Sequence, residues 1–343
     1  MRRAPTILGI TTGAAALAAA VFLSIGIGPI AINPITTFHV IATQMSGTAD
    51  AVDQLSRTVV IDLRMPRILF GALAGAALAV SGASLQSLFR NPLADPGIIG
   101  VSGGASAGAV TAIVLLPPLG ATALGWLIPA AAFAGGLLAT ALIYFLARPG
   151  RSTGTARLLL VGIAIGSGFA AITGFFTFAA DDDELETIVF WQMGSLGSID
   201  WAKLALATPA LIVGIAIMIS LHRRLDMLSL GERQAQHLGL NVMATRGLVI
   251  TITALLTGAT VAFAGTIGFI GLVVPHIVRM AFGPRHRAVL PISAVTGGLL
   301  IVIADTLSRT IAPPSEVPIG LFTALLGAPF FLWLVINSKQ VKM

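Results

Sequence analysis

Apolar residues run along this chain in blocks, with the polar residues gathered into short segments between them. A membrane-spanning helix needs about 20 mostly apolar residues. Stretches of that character fall at 7–29, 65–86, 97–116, 124–146, 157–179, 202–221, 245–265, 267–281, 290–307 and 318–336, the eighth being shorter than the rest. The pattern predicts an all-α, polytopic membrane protein with about ten transmembrane helices. The chain opens Met1-Arg2-Arg3, as a signal peptide could, but the apolar run that follows exceeds a typical signal core. A retained first span is the expectation.

Composition gives the reason for this pattern. Of the residues, 56% are hydrophobic and 10% charged, against about 25% charged in soluble domains. So few charges cannot coat a water-soluble particle, and lipid must solvate most of the surface. The 38 glycines suit helices that approach closely in a bilayer. There is no cysteine, which excludes disulfides and thiolate chemistry.

The net charge of +6 is a topology signal, not a nucleic-acid footprint, because the basic residues sit in short loops. With ten spans and the N-terminus inside, the cytoplasmic side takes Arg2, Arg3, Arg90, Arg148, Arg151, Arg157, Arg223, Arg224, Arg233, Arg246, Arg279, Arg285, Arg287, Lys339 and Lys342. The outer side takes only Arg57, Arg64, Arg67, Lys203 and Arg309. Both termini are therefore expected in the cytoplasm.

A transporter needs an energy source. No Walker A pattern is present, and none of the lysines (Lys203, Lys339, Lys342) follows a glycine, so ATP hydrolysis is not expected of this chain. Ion-coupled carriers keep ionisable residues at mid-membrane. Here the spans carry almost none at mid-membrane: Asp305 lies near the outer end of the ninth, Asp95 before the third and His276 in the short eighth, which weakens a secondary-transporter reading. The loop Leu228–Leu240 offers another route. Ser229 and Glu232 have capping-box spacing, and Gly239 suits a helix end. About two turns are expected between them, with Leu230, Gln234 and Leu238 on one stripe. Such a helix can dock a soluble partner; the plainer alternative is a helix lying on lipid headgroups. An enzyme reading finds no ordered nucleophile–base set or metal-ligand spacing, and a passive channel has no use for the capped loop.

Five ordered blocks then add a resemblance. SGASLQSLFRNPLADPGIIGVSGGA (Ser81 to Ala105), RMPR (Arg64 to Arg67), GERQAQHLG (Gly231 to Gly239), AFAGTIGFIGLVVPHIVRM (Ala262 to Met280) and PIGLFTALLGAPFFLWLV (Pro318 to Val335) closely resemble blocks of the FecCD family. These are permeases of ABC importers for iron-siderophores, heme and cobalamin. The resemblance implies a homodimer in a bacterial inner membrane, two ATP-binding cassette subunits that bind ATP and Mg on the cytoplasmic side, and a substrate-binding protein outside. It implies no cofactor in this chain. It places a coupling element at about 226–240, with Ser229, Gly231, Glu232, Arg233, Ala235, Leu238 and Gly239. It assigns Arg64, Arg67 and Arg309 to docking carboxylates of the binding protein, bidentate recognition that suits arginine; the plainer reading of the first two is snorkelling.

The resemblance also implies that the fifth span lines the path. Gly168, Phe175, Phe176 and Phe178 are its gate candidates, although lipid-facing phenylalanines are equally compatible with the pattern. Trp191 and Met193 lie in Phe190–Gly197, which fits a short re-entrant helix of the family. The prolines of Asn91–Gly97 bar a continuous helix and predict a turn with Asp95 capping the third span. Pro275 would explain a short or broken eighth span, and His276 reads as a satisfied histidine. For cargo, the expected order is heme, then siderophore, then cobalamin, with an ion-coupled transporter as the more remote alternative.

Overall fold

The computed structural model describes residues 6–46, 53–116, 121–147 and 154–337. Among them are fourteen α-helices and one 3-10 turn: α1 (Thr6–Gly26), α2 (Pro34–Ser46), α3 (Gln54–Leu88), the turn Pro96–Ile99, α4 (Val101–Leu115), α5 (Ala121–Ala147), α6 (Gly154–Ala179), α7 (Asp182–Met193), α8 (Trp201–Ser220), α9 (His222–Ser229), α10 (Glu232–His237), α11 (Val242–Ala264), α12 (Ile270–Phe282), α13 (His286–Ser308) and α14 (Ile319–Asn337). No strand occurs among the described residues. Each of the ten apolar stretches is helical. Seven are long and apolar enough to cross a membrane (α1, α3, α5, α6, α8, α11 and α13), while α4, α12 and α14 are shorter apolar helices.

The centre of the molecule is α3, which packs against α13, α12, α8 and α11. Its contact with α13 is close because neither helix carries a side chain at the crossing: a Cβ on Gly75 would lie 2.2 Å from the Gly297 carbonyl oxygen. Small residues permit that approach in a bilayer, where tight packing replaces the hydrophobic drive between helices. Toward the C-terminal end of α3, Gln86 Nε2 donates to the Gly271 carbonyl at 3.1 Å and Arg279 bonds the Gln86 side-chain oxygen. These bonds fix α12 to the end of α3.

Helix α3 begins well before the apolar stretch at 65–86. Its first turns include a π-helical segment, Thr58–Arg64, in which i→i+5 pairing replaces the regular ladder. The Trp201 indole donates to the Ile61 carbonyl of that segment at 2.9 Å. Asp53 caps the start, accepting from Ser56 N.

Two local expectations need correction. Asp95 does not cap the third span: it accepts from Gly97 N at 2.8 Å and starts the 3-10 turn, while α4 begins after Gly100 in the left-handed region. Burial pushes the Asp95 carboxyl pKa up, against the lowering pull of that Gly97 bond. Pro275 does not break α12, which runs through it from Ile270 to Phe282. The helix is short because it starts late, after Phe269 at φ +68°. The His276 ring packs edge-on against Phe330, centroids 5.9 Å apart.

Candidate transport site and its two ends

On the side assigned to the cytoplasm, α9 and α10 meet at Gly231. Its φ of +118° is open to glycine and strained for other residues. Gly239, at φ +85°, follows the end of α10. Only Ala235 of α10 is buried, whereas Leu230 and Leu238 are 62% and 58% exposed and Arg233 and Gln234 face solvent. Thus the stripe expected from the sequence lies on the open side of the segment.

The expected capping box is absent, and the helix between its ends is shorter than two turns. Ser229 belongs to the last turn of α9 and donates to the Asp226 carbonyl at 2.6 Å. Glu232 is instead ion-paired with Arg246, whose side chain is 4% exposed. A buried guanidinium without a counter-charge is costly, so that pair outweighs a reciprocal cap. Asp226, which the sequence reading passed over, accepts from both the backbone N and Nδ1 of His286, at 2.9 and 2.7 Å. Burial opposes ionisation there, yet the His286 bonds hold its pKa below the ordinary aspartate value.

At the other end of the bundle, α7 separates two cavities. One, of about 540 Å³, is lined by Asp183, Glu186, Phe190, Trp191, Phe263 and neighbouring residues. The second, of about 610 Å³, lies beside Gly103, Ser106, Thr173, Gly174, Phe178 and Gln192. The helix is Asp182–Met193, with a capping box between Asp181 and Glu184. It therefore starts earlier than the Phe190–Gly197 segment expected, which forms only its last turn and the bend beyond. The acidic run Asp181-Asp182-Asp183-Glu184 is itself a helix-start signal in the sequence. The C-terminal end of α7 is clamped by backbone contacts: Ser195 N to Ala264 O at 2.8 Å, and Ile319 N to Gly194 O at 2.9 Å.

The gate candidates do not share one orientation. Phe175 and Phe178 are 66% and 91% exposed, while Phe176 turns inward onto the cluster of Val110, Ile113 and Ile188. Phe178 and Trp191 line different cavities, Met193 is 38% exposed, and a Cβ on Gly168 would meet nothing within 4 Å.

The three arginines expected on the outer side do come together, but not as a solvent-facing rim. Arg64, Arg67 and Arg309 are 5%, 6% and 3% exposed. Asp305 binds Arg67 Nε at 2.7 Å and Arg309 Nε at 3.1 Å. Arg67 also reaches Glu316 at 2.6 Å. Arg64 donates to Ile25 O and Ile30 O, and Arg309 to Ser24 O and Ile27 O. Those carbonyls belong to the last turn of α1 and the segment after it, where unpaired acceptors favour cations. Helix-end capping and a shared buried carboxylate draw the guanidinium groups inward, which neither snorkelling nor a free rim describes.

Comparison with known proteins bears on the whole assembly of features. The FecCD transport family model matches residues 16–337. The chain is 44% identical to the cobalamin import system permease protein BtuC of Halobacterium salinarum, over 85% of this chain and 76% of that one. It is 43% identical to the hemin transport system permease protein HmuU of Yersinia pestis, over 82% and 84%. It is 40% identical to the Fe(3+) dicitrate transport system permease protein FecD of Escherichia coli, over 82% and 86%. A solved metal-chelate type ABC transporter in an inward-facing conformation superimposes with a TM-score of 0.82 at 31% identity, over 96% of this chain and 98% of that one. The chain belongs to the FecCD transport family, a family of ABC importer permeases.

Proposed function

We propose that this chain is a single permease domain with ten membrane crossings and both termini in the cytoplasm, working as a homodimer in the bacterial inner membrane. Two separate ATP-binding cassette subunits supply the energy, and bulky iron chelates, heme foremost, cross by alternating access along the dimer axis. The observation that carries the coupling part is the exposed apolar surface of Leu230 and Leu238 on a segment whose other side is held by Ala235 and the Glu232–Arg246 pair. A partner that covers those leucines and moves can shift the segment as a body.

The cargo reading rests on the aromatic lining of Phe190, Trp191 and Phe263 beside α7, which suits a flat, greasy chelate. Cobalamin is the second reading, favoured by the 44% identical relative. An outside binding protein would meet the end where Arg64, Arg67 and Arg309 gather. There Glu316, with its side chain 39% exposed, is the most open member of the ion-paired cluster.

Reconstitution tests the reading. In liposomes with the partner ATPase and binding protein, hemin should accumulate with ATP, and more slowly or not at all with a non-hydrolysable analogue. Accumulation of cyanocobalamin in place of hemin would transfer the assignment to the second reading. Uptake driven by a proton gradient without the ATPase would overturn both.

A further inference from the structure

The carboxylate of Asp226 does two things at once. It caps the start of α13, accepting from His286 N at 2.9 Å, where the N-cap residue Arg285 makes no side-chain bond of its own. It also accepts from His286 Nδ1 at 2.7 Å. That acceptor places a ring proton on Nδ1, and in the neutral ring leaves Nε2 as an acceptor. Nε2 faces the hydroxyl of Ser87, in the last turn of α3. The His286 and Ser87 residues are 2% and 5% exposed, so the chain Asp226–His286–Ser87 runs from the surface segment into the protein interior.

What it reaches is a pair of helices joined along their whole length. At this end α3 and α13 meet through Ser87 and His286. In the middle, Gly75 and Gly297 bring the backbones together, and a Cβ on Gly298 would lie 2.8 Å from the Ala72 carbonyl oxygen. At the far end Arg67 of α3 bonds Asp305 of α13 at 2.7 Å. A polar tie at each end with close backbone contact between them leaves little freedom for one helix to slide against the other.

We propose that Asp226 is a positioning residue that fastens the α9–α10 segment to the α3–α13 pair, so that the pair moves with the segment as one strut. The consequence is directional. A displacement of α9 is passed to the Arg67–Asp305 cluster at the opposite end without bending either helix, while α6, outside the strut, serves as the reference against which it moves. This rests on the coupling reading for what pushes α9; the fastening itself does not.

The fastening is testable in the full chain alone, in nanodiscs. Its lack of cysteine lets spin labels be placed at Arg224→Cys on α9 and Leu307→Cys at the far end of α13. With the labelled chain diluted into unlabelled parent, so that distances within one copy dominate, the distribution should be single and narrow in the parent. It should lose its single maximum in Asp226→Ala and regain it in Asp226→Asn, which keeps an accepting oxygen. His286→Asn, which keeps a donor near the Nδ1 position but not the Ser87 contact, should broaden it less. An unchanged distribution in Asp226→Ala would overturn the proposal. In complex with the partner ATPase, labels at Leu307→Cys and Ile172→Cys on α6 should change separation when AMP-PNP and Mg are added. Asp226→Ala should abolish that change while hydrolysis persists, a split that simple destabilisation does not produce. Retention of the change in Asp226→Ala, or its absence in the parent, would overturn the strut. Failure of the ATPase to bind would instead sink the coupling reading and leave the nanodisc result to decide the fastening.

Discussion

Helices α3 and α6 are built from similar residues and have opposite surroundings. Both are long, apolar and punctuated by glycine, yet 78% of the most apolar window of α3 is buried within the chain and only 11% of that of α6. Hydropathy reports which solvent a helix can tolerate, not which neighbours it has. The glycines separate the two cases. Gly75 and Gly82 of α3 lie against the backbone of another helix, at Gly297 and Gly271, whereas in α6 only Gly162 meets backbone, at Ile98, and a Cβ on Gly166, Gly168 or Gly174 would meet nothing within 4 Å. The first helix is fitted inside the chain; the second keeps an open face of small residues and phenylalanines.

The largest expected difference comes from filling those glycines. Gly75→Leu should remove folded, monodisperse protein from size-exclusion chromatography, since overpacking costs ~1–3 kcal/mol and more where backbone blocks relief. Gly168→Leu should leave the melting profile within about 0.5 kcal/mol of the parent while changing transport. Equal loss of folded protein in both variants would break the comparison. Next in size is Asp305→Ala, which leaves two buried arginines without their shared partner. Removing one member of a buried ion pair costs about 3–5 kcal/mol, visible as a large drop in thermal stability in detergent; no change would mean that the cluster is solvated.

Phe178→Ala is expected to be thermally silent, within about 0.5 kcal/mol as for exposed sites, but to alter the rate of uptake. Phe176→Ala, on the inward side of the same helix, should cost measurable stability. The smallest effect concerns Asp226. Its folded pKa is depressed by His286, so its contribution to stability is present above the unfolded aspartate pKa of about 3.9 and is lost as pH falls through the lower folded value. The gap in melting temperature between parent and Asp226→Ala should therefore close below about pH 4. A gap that widened on acidification would contradict the sign.

The ten apolar helices were legible in the sequence because each is a block of apolar residues, and all ten blocks are helical, seven of them long enough to cross a membrane. Their partners were not. Nothing in the hydropathy of α3 announces that Arg64 and Arg67 will turn inward, because the groups that draw them there, the Ile25 and Ile30 carbonyls for Arg64 and the Asp305 and Glu316 carboxylates for Arg67, come from distant parts of the chain. Ser229 and Glu232 misled for a similar reason: local spacing favoured a cap, and a distant buried arginine, Arg246, took the glutamate. By contrast, Gly239 was informative because a positive φ is a local requirement, whereas Gly231, which the expected helix ran through, has a positive φ between α9 and α10. Asp226 and His286 stand 60 residues apart, and no periodicity links them.

The most direct measurement of the account is ATP-driven uptake in proteoliposomes containing this chain with and without its partner ATPase. The account predicts no ATP hydrolysis and no hemin accumulation with the chain alone, and both when the ATPase and binding protein are added. Hydrolysis by the purified chain, or accumulation that proceeds without the ATPase, would contradict it.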